Sequence, residues 1–338
     1  MYDAGSGGVP LNEAHTFGLS VRTQALLLPK DESEVPDAAS QATYIIGEGS
    51  NILPLGDLPP VLSTRYLRGY QVLRADGPEV EVAAGENWDA WVRFCIAQGW
   101  HGLENLAAIP GSVGAAAVQN IGAYGVELAP FLLYVYGWNK RIEAWQRIPA
   151  EACKLGYRHS VFQAPEWRDQ FVITRVAFRL SRRFAPVLSY PDVARRVHPQ
   201  RQHDPWHLYE TVRAIRTEKL PARGSAGSFF KNPVLSASQL EALLQRVPEV
   251  PYYPAGEGYF KVPAAWLIDK AGLKGYQIGD AQVHPRQPLV LVNRGAATPE
   301  DLWALARYVQ ETVQERWGIP LEPEVRVLPA LSSQASHS

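Results

Sequence analysis

Along the first half of the chain, short apolar runs are bounded by Gly or Pro, and this spacing predicts strands at 43–46, 80–84, 131–136 and 171–180. One helix interrupts them: Trp88, Trp91, Val92, Cys95 and Ile96 recur at helical spacing, and Gly99 stands where a left-handed C-terminal cap belongs. That helix is expected to pack one face on a sheet. In the second half Leu240, Leu243, Leu244 and Val247 form a helical stripe, and Trp266, Leu267 and Ile268 mark a short apolar segment. The clearest helix comes late. Thr298 is its N-cap, Pro299 its first residue, and Glu300 and Asp301 sit at its positive end. Leu302, Leu305, Ala306, Val309 and Val313 then form the stripe, and Gly318 ends it. Between the halves, residues 182–221 are rich in Pro, Arg and His with weak periodicity, which places a domain junction there.

With 338 residues the chain is too long for one compact core. A net charge of -1 argues against a polyanion binder, so no nucleic-acid partner is expected. Cys95 and Cys153 are the two cysteines, with no CxxC pair and no zinc spacing, so no metal site is expected and a reducing compartment fits. The first ten residues show neither a basic n-region nor an apolar h-region, and the apolar run 131–136 is far below spanning length. A cytoplasmic protein without a membrane partner is expected, and a monomer. Residues 332–338 are small and polar and read as a frayed tail without function.

Two loops could hold a phosphate. YIIGEGSN (44–51) is an apolar strand followed by Gly47, Gly49, Ser50 and Asn51, a turn that can turn backbone N–H groups towards an anion. Such turns are common, and neither GxGxxG nor a P-loop is completed, which excludes a Rossmann reading. IPGSVGAAAVQNIGAYG (109–125) concentrates glycines and alanines, which let backbone approach either a ligand or another backbone in a core. Together the two loops lean towards a dinucleotide whose pyrophosphate is met by amides.

These stretches, with HTFG (15–18), AAGENW (83–88), GLENLAAIPGSVG (102–114), QNIGAYGVE (119–127), GYRHSVF (156–162), GSFFKNP (227–233), AWLID (265–269) and LEPEVR (321–326), resemble the UDP-N-acetylenolpyruvoylglucosamine reductases. The resemblance is to the subgroup with a tyrosine-bearing substrate loop, and it spans nearly the whole chain. It implies an α+β fold: an FAD-binding domain of the vanillyl-alcohol-oxidase (PCMH) type at 15–183 in two subdomains, 15–65 and 66–183. A junction with the substrate loop would follow at 184–206, then a substrate-binding domain at 207–318 and a C-terminal segment, 319–329, returning to the active site. It also implies noncovalent FAD, NADPH as cosubstrate, and a UDP-sugar enolpyruvyl ether reduced to UDP-N-acetylmuramate for cell-wall precursor synthesis. The family's small polar residues after the glycine turn are here Ala115 and Ala116, which points to backbone rather than hydroxyl contacts with phosphate. The segment between Arg22 and Gly47 and the loop 223–227 look shortened, the latter bearing on the register of Lys219.

Hydride addition to the terminal carbon of the vinyl ether drives charge towards the carbon bearing the carboxylate, which calls for a cation, a hydrogen-bond donor and an acid. By resemblance Arg158 is the guanidinium that binds the carboxylate, Glu324 the second electrostatic partner, with a raised pKa, and Ser228 the acid to carbon. The implied FAD contacts are Gly47, Gly49, Ser50, Asn51, Pro110, Gly111, Gly114, Ala115, Ala116, Asn120, Gly122 and Arg326. The implied substrate contacts are Tyr124, Tyr190, Lys219 and Asn232, with Tyr253 and Lys261 as further candidates. Outside motifs such as these, an arginine is usually a solvated surface group, a serine between glycines a turn residue and a tyrosine a packed aromatic. The competing readings are a carbohydrate oxidase of the same flavin fold and a sugar-nucleotide or flavin-binding module that lost the chemistry.

Overall fold

The structure is a computed structural model that describes residues 8–221 and 224–329. The tail at 332–338, the start of the chain through residue 7, and residues 222 and 223 before Ser228 lie outside the described residues. The chain divides into two compact units. Of the described residues, unit 1 comprises those within 8–9, 23–49 and 59–218, and unit 2 those within 10–22, 50–58 and 219–329.

In unit 1 three short parallel strands, Leu26–Leu27, Val61–Ser63 and Tyr44–Ile46, pair in that order. Helix α1 (Val35–Gln41) covers them through Val35, Ala38 and Ala39. A five-stranded antiparallel sheet runs Ala144–Pro149, Leu132–Asn139, Phe171–Arg179, Glu79–Ala83 and Tyr70–Arg74. Against it pack α2 (Trp88–Ala97) and the small-residue helix α3 (Val113–Gln119). Helix α2 presents Trp88, Trp91, Val92, Cys95 and Ile96 to the core, and Gly99 has φ +67 beyond its end, as the spacing predicts. Trp88 is fully buried and donates its indole N–H to the Leu106 carbonyl at 2.9 Å, so its large apolar area is desolvated without an orphan donor.

The stretch 182–221, whose weak periodicity reads as a domain junction, carries α4 (Pro191–Arg196) and the 15-residue α5 (Pro205–Lys219). Leu208, Tyr209, Val212 and Ile215 on α5 join the core of unit 1. A narrow apolar stripe among Arg and His residues is enough for a helix once a core receives it.

In unit 2, α6 (Ala237–Arg246) begins with a Ser236–Gln239 capping box, and the apolar segment at 266–268 lies on α7 (Ala264–Lys270). Helix α8 (Pro299–Trp317) has the anticipated ends: Thr298 accepts from the Asp301 N–H, and Gly318 takes φ +72. Its stripe of Leu302, Leu305, Ala306, Val309 and Val313 is buried. The C-terminal strand Arg326–Leu328 pairs in parallel with Ile52–Pro54.

Both cysteines are free and buried. Burial, reinforced by Glu104, pushes the Cys95 thiol well up, and burial with Glu151 takes Cys153 to about 12, which leaves neither reactive. No helix among the described residues is long and apolar enough to cross a membrane, and no group of His, Cys, Asp or Glu among them could hold a metal ion.

Candidate active site

Gly47 follows the strand Tyr44–Ile46, and its carbonyl is held by the Ser63 hydroxyl at 2.7 Å. A Cβ at Gly47 would fall 2.5 Å from Ser112 Oγ and 3.2 Å from Ala115 Cβ, so the first glycine turn lies directly against the start of α3. Gly49, with φ +74, completes the turn, and the chain then enters unit 2 at Ser50. The Glu48 carboxylate accepts from the amide of Asn87 at 3.3 Å, and Asn87 caps α2 through the Ala90 N–H.

The second loop separates its glycines by role. Gly111 (φ +112) accepts from the Trp88 N–H at 2.9 Å, and a Cβ on Gly114 would sit 2.7 Å from Ala84 Cβ. Gly114 therefore serves a close crossing of two backbones. Pro110 precedes this loop, and Ala115 and Ala116 lie on α3, with Ala116 buried and Ala115 beside the first turn.

Ser112, which sequence reasoning passed over, is the N-cap of α3 but makes no side-chain capping bond. It is buried, and its hydroxyl has no partner among the described residues. An unsatisfied buried hydroxyl costs on the order of 1–3 kcal/mol, which a ligand acceptor would relieve. This orphan hydroxyl, beside a position where a Cβ does not fit, suits a phosphate-bearing cofactor such as FAD. The signal was a cap residue ahead of a helix of small side chains.

The loop's entry is fixed by residues that sequence reasoning also passed over. Ala108 sits at φ +57, with its N–H donating to Asp89 at 2.6 Å and its carbonyl accepting from Arg216 Nε at 3.3 Å. Tyr209 donates to the same carboxylate at 3.0 Å, and burial together with Asp89 pushes its phenol up to about 12. Burial lowers the Arg216 pKa, Tyr124 and Asp89 act against that, and the Arg158 charge adds to it, so two guanidiniums share this corner of unit 1.

Arg158 is the second central residue of a tight turn closed by Gly156 and His159, whose backbones exchange bonds of 3.0 and 3.1 Å. Its φ of +49 is a conformation that L residues avoid at a cost of about 1–2 kcal/mol. The surroundings enforce it. Asn120, fully buried at the end of α3, donates to the Gly156 carbonyl at 2.7 Å and accepts from the Ala129 N–H, and Ser160 donates to the Val118 carbonyl at 2.5 Å. The guanidinium donates to the Gly122 carbonyl at 2.7 Å, and a Cβ on Gly122 would approach Arg158 Nη1 to 3.0 Å. Tyr124 and Tyr190 meet edge to face at 5.1 Å between ring centroids, with Tyr190 well exposed ahead of α4.

In unit 2 the Ser228 segment and the LEPEVR segment form one ladder. Glu324 donates its N–H to the Phe229 carbonyl at 2.8 Å, Phe230 bridges Pro323, and the Lys231 N–H donates to the Glu322 carbonyl at 2.9 Å. On its other side Ser228 bridges Val290. Asn51 donates to the Glu324 carbonyl at 3.1 Å, and its own carbonyl accepts from the Arg326 N–H at 2.9 Å, so the second half of GEGSN is tied to Glu324 and Arg326. Ser50 accepts from the Thr16 hydroxyl of HTFG at 3.4 Å. Tyr253 and Lys261 are cross-strand partners, and the Asn232 side chain accepts from the Ala264 N–H at 2.9 Å, which sets it at the start of α7. Lys219 is the last residue of α5.

The sequence of unit 2 matches the C-terminal domain of UDP-N-acetylenolpyruvoylglucosamine reductase over residues 219–328, and an FAD binding domain matches residues 23–136. The chain is 46% identical to the UDP-N-acetylenolpyruvoylglucosamine reductase of Chromobacterium violaceum, over 95% of this chain and 98% of that one. It is 42% identical to the reductase of the same name from Escherichia coli, over 94% of each. Among solved structures, the UDP-N-acetylenolpyruvylglucosamine reductase of Thermus caldophilus is similar at TM-score 0.65 and 25% identity, covering 95% of this chain and 98% of that one. The α+β fold is thus an FAD-binding domain of the PCMH type with a second domain characteristic of these reductases. Identity of this extent, over almost the full length of both chains, makes this chain a member of the UDP-N-acetylenolpyruvoylglucosamine reductase family.

Proposed function

We infer that this chain is an FAD-dependent reductase that uses NADPH to convert UDP-N-acetylenolpyruvoylglucosamine to UDP-N-acetylmuramate. The observation that carries the reading is the ladder of unit 2, in which the backbone N–H of Glu324 pairs with the residue after Ser228. Ser228 and Glu324, from distant parts of the sequence, thereby lie on adjacent backbone segments.

FAD, when bound, would supply hydride chemistry, taking the hydride from NADPH for the terminal carbon of the vinyl ether. The protein then manages charge and a proton. Arg158 binds the substrate carboxylate through its planar fork and stabilises the charge that develops beside it. Glu324 is the second partner of that charge, and Ser228 gives the proton to carbon. Tyr190, Lys219 and Asn232, with Tyr253 and Lys261, take the UDP-sugar diphosphate, and Tyr124 lies by the sugar. The flavin is held by the backbones of 47–51 and 110–116, by the Ser112 hydroxyl, by Gly122 and by Arg326. Asn120 supports this set through the Gly156 turn. In this reading the enzyme is a cytoplasmic monomer whose partners are small molecules.

Replacing Ser228 with Ala tests the assignment, because only one of two half-reactions needs a proton on carbon. Reduction of the flavin by NADPH should stay within about twofold of wild type, whereas reoxidation by substrate should slow by ~10²–10⁴-fold, the usual range for a general acid. Reoxidation at the wild-type rate would remove Ser228 from the mechanism.

A further inference from the structure

Asn105 stands in the 3-10 turn Glu104–Leu106 and is 2% exposed. Its side-chain amide donates to the Tyr124 carbonyl at 2.9 Å and to the Val187 carbonyl at 3.0 Å. Both neighbours are acceptors, so the orientation of the amide is fixed by chemistry: only the NH2 group can serve them. The two carbonyls belong to the two segments that end in the tyrosine pair. Tyr124 lies in a left-handed turn with φ +50, followed by Gly125 at φ +86, and Tyr190 follows Val187 by three residues. The segments also touch directly, since a Cβ on Gly125 would lie 2.6 Å from Ser189 Oγ and 3.4 Å from Val187 Cγ1.

The base of the staple is itself rigid. Glu104 accepts from the Gly102 N–H at 2.8 Å and lies 2.8 Å from His101 Nδ1, and His101 and Ser181 exchange backbone bonds of 2.7 and 3.0 Å. A buried amide on a fixed base, donating to two strands of chain, sets their separation. A residue that only filled buried space would need neither donor.

We propose that Asn105 is a positioning residue for substrate binding: it staples the segment carrying Tyr190 to the Tyr124 turn and so sets the place of the two rings. The proposal rests on the reading above that these tyrosines meet the UDP-sugar.

Three variants of the flavin-loaded enzyme test it: Asn105→Asp keeps the volume and replaces both donors with acceptors, Asn105→Ser keeps one donor, and Tyr190→Phe leaves the staple intact. In Asn105→Asp, amide hydrogen exchange across 185–190 should quicken at least ~10-fold, and KM for the UDP-sugar substrate should rise by about as much. Flavin reduction by NADPH should remain within about twofold, and Asn105→Ser should fall between Asp and wild type in both readouts. Exchange at the wild-type rate in both Asn105 variants overturns the staple. Faster exchange with an unchanged KM overturns its role in substrate binding. Tyr190→Phe separates the two layers: if its KM for substrate is that of wild type, the assignment of Tyr190 fails, while the exchange data still decide whether Asn105 holds the segment. Should Asn105→Asp fail to fold, Asn105→Ser alone decides through the same two readouts.

Discussion

The Arg158 guanidinium donates to the carbonyl of Gly122 at 2.7 Å, and the missing side chain of Gly122 leaves the space that the guanidinium occupies. The guanidinium is thus held by the backbone of the loop expected to face the flavin, from a turn residue in a conformation that L side chains avoid.

Arg158→Lys should therefore lose the bidentate fork and the bond to Gly122 while keeping a charge. A charge-assisted hydrogen bond of about 1.5–3 kcal/mol corresponds to roughly 10–150-fold in rate, expected in flavin reoxidation by substrate and not in flavin reduction by NADPH. Gly122→Ala should show the same split, more weakly, because its Cβ would press on the guanidinium. Stopped-flow traces of both half-reactions check this, and equal losses in the two would point to a misfolded site instead.

The two glycine loops make distinct predictions for similar substitutions. Gly47→Ala would set a methyl against the orphan Ser112 hydroxyl, so titration of the folded apoprotein should show FAD affinity reduced by at least ~10-fold. Gly114→Ala would drive a Cβ into Ala84 and should destabilise the apoprotein by about 1–3 kcal/mol, read by chemical denaturation. Mass spectrometry of the denatured wild-type chain should show no flavin increment.

His15 supplies a pH dependence. It is 5% exposed, and burial lowers its pKa to about 4, against a weaker opposing effect of the Leu19 carbonyl. The folded pKa lies below the unfolded value of 6.5, so the unfolded chain binds the proton first as pH falls. Stability from this group is complete above 6.5 and declines between 6.5 and 4, by about 3 kcal/mol in all. Denaturation midpoints of wild type and His15→Asn across that window should differ in slope. Identical slopes would show that His15 does not titrate differently on unfolding.

Helix α8 could be read residue by residue because each of its signals is local: Thr298, Pro299 and Asp301 at one end, Gly318 at the other, and a stripe between. Helix α5 could not, because Leu208, Val212 and Ile215 are spaced among polar and charged residues and become a face only against the core of unit 1. The strand Leu132–Asn139 outruns its apolar stretch because Gly137 continues the pairing where a Cβ would strike the Val172 carbonyl at 2.2 Å. The roles proposed for Arg158, Ser228 and Glu324 come from the motifs that carry them. Ser112 emerges only once the structure shows a cap that does not cap, and Asn105 only once two distant carbonyls converge on one amide. Local chemistry is written in the sequence, whereas partners set by chain crossing are not.

The most direct test of the central claim follows the flavin absorbance of the purified protein under anaerobic conditions, first with NADPH and then with UDP-N-acetylenolpyruvoylglucosamine. The account predicts bleaching by NADPH and full recovery on adding substrate, with one UDP-N-acetylmuramate formed per flavin reoxidised. A flavin that bleaches but stays reduced in the presence of substrate would contradict it.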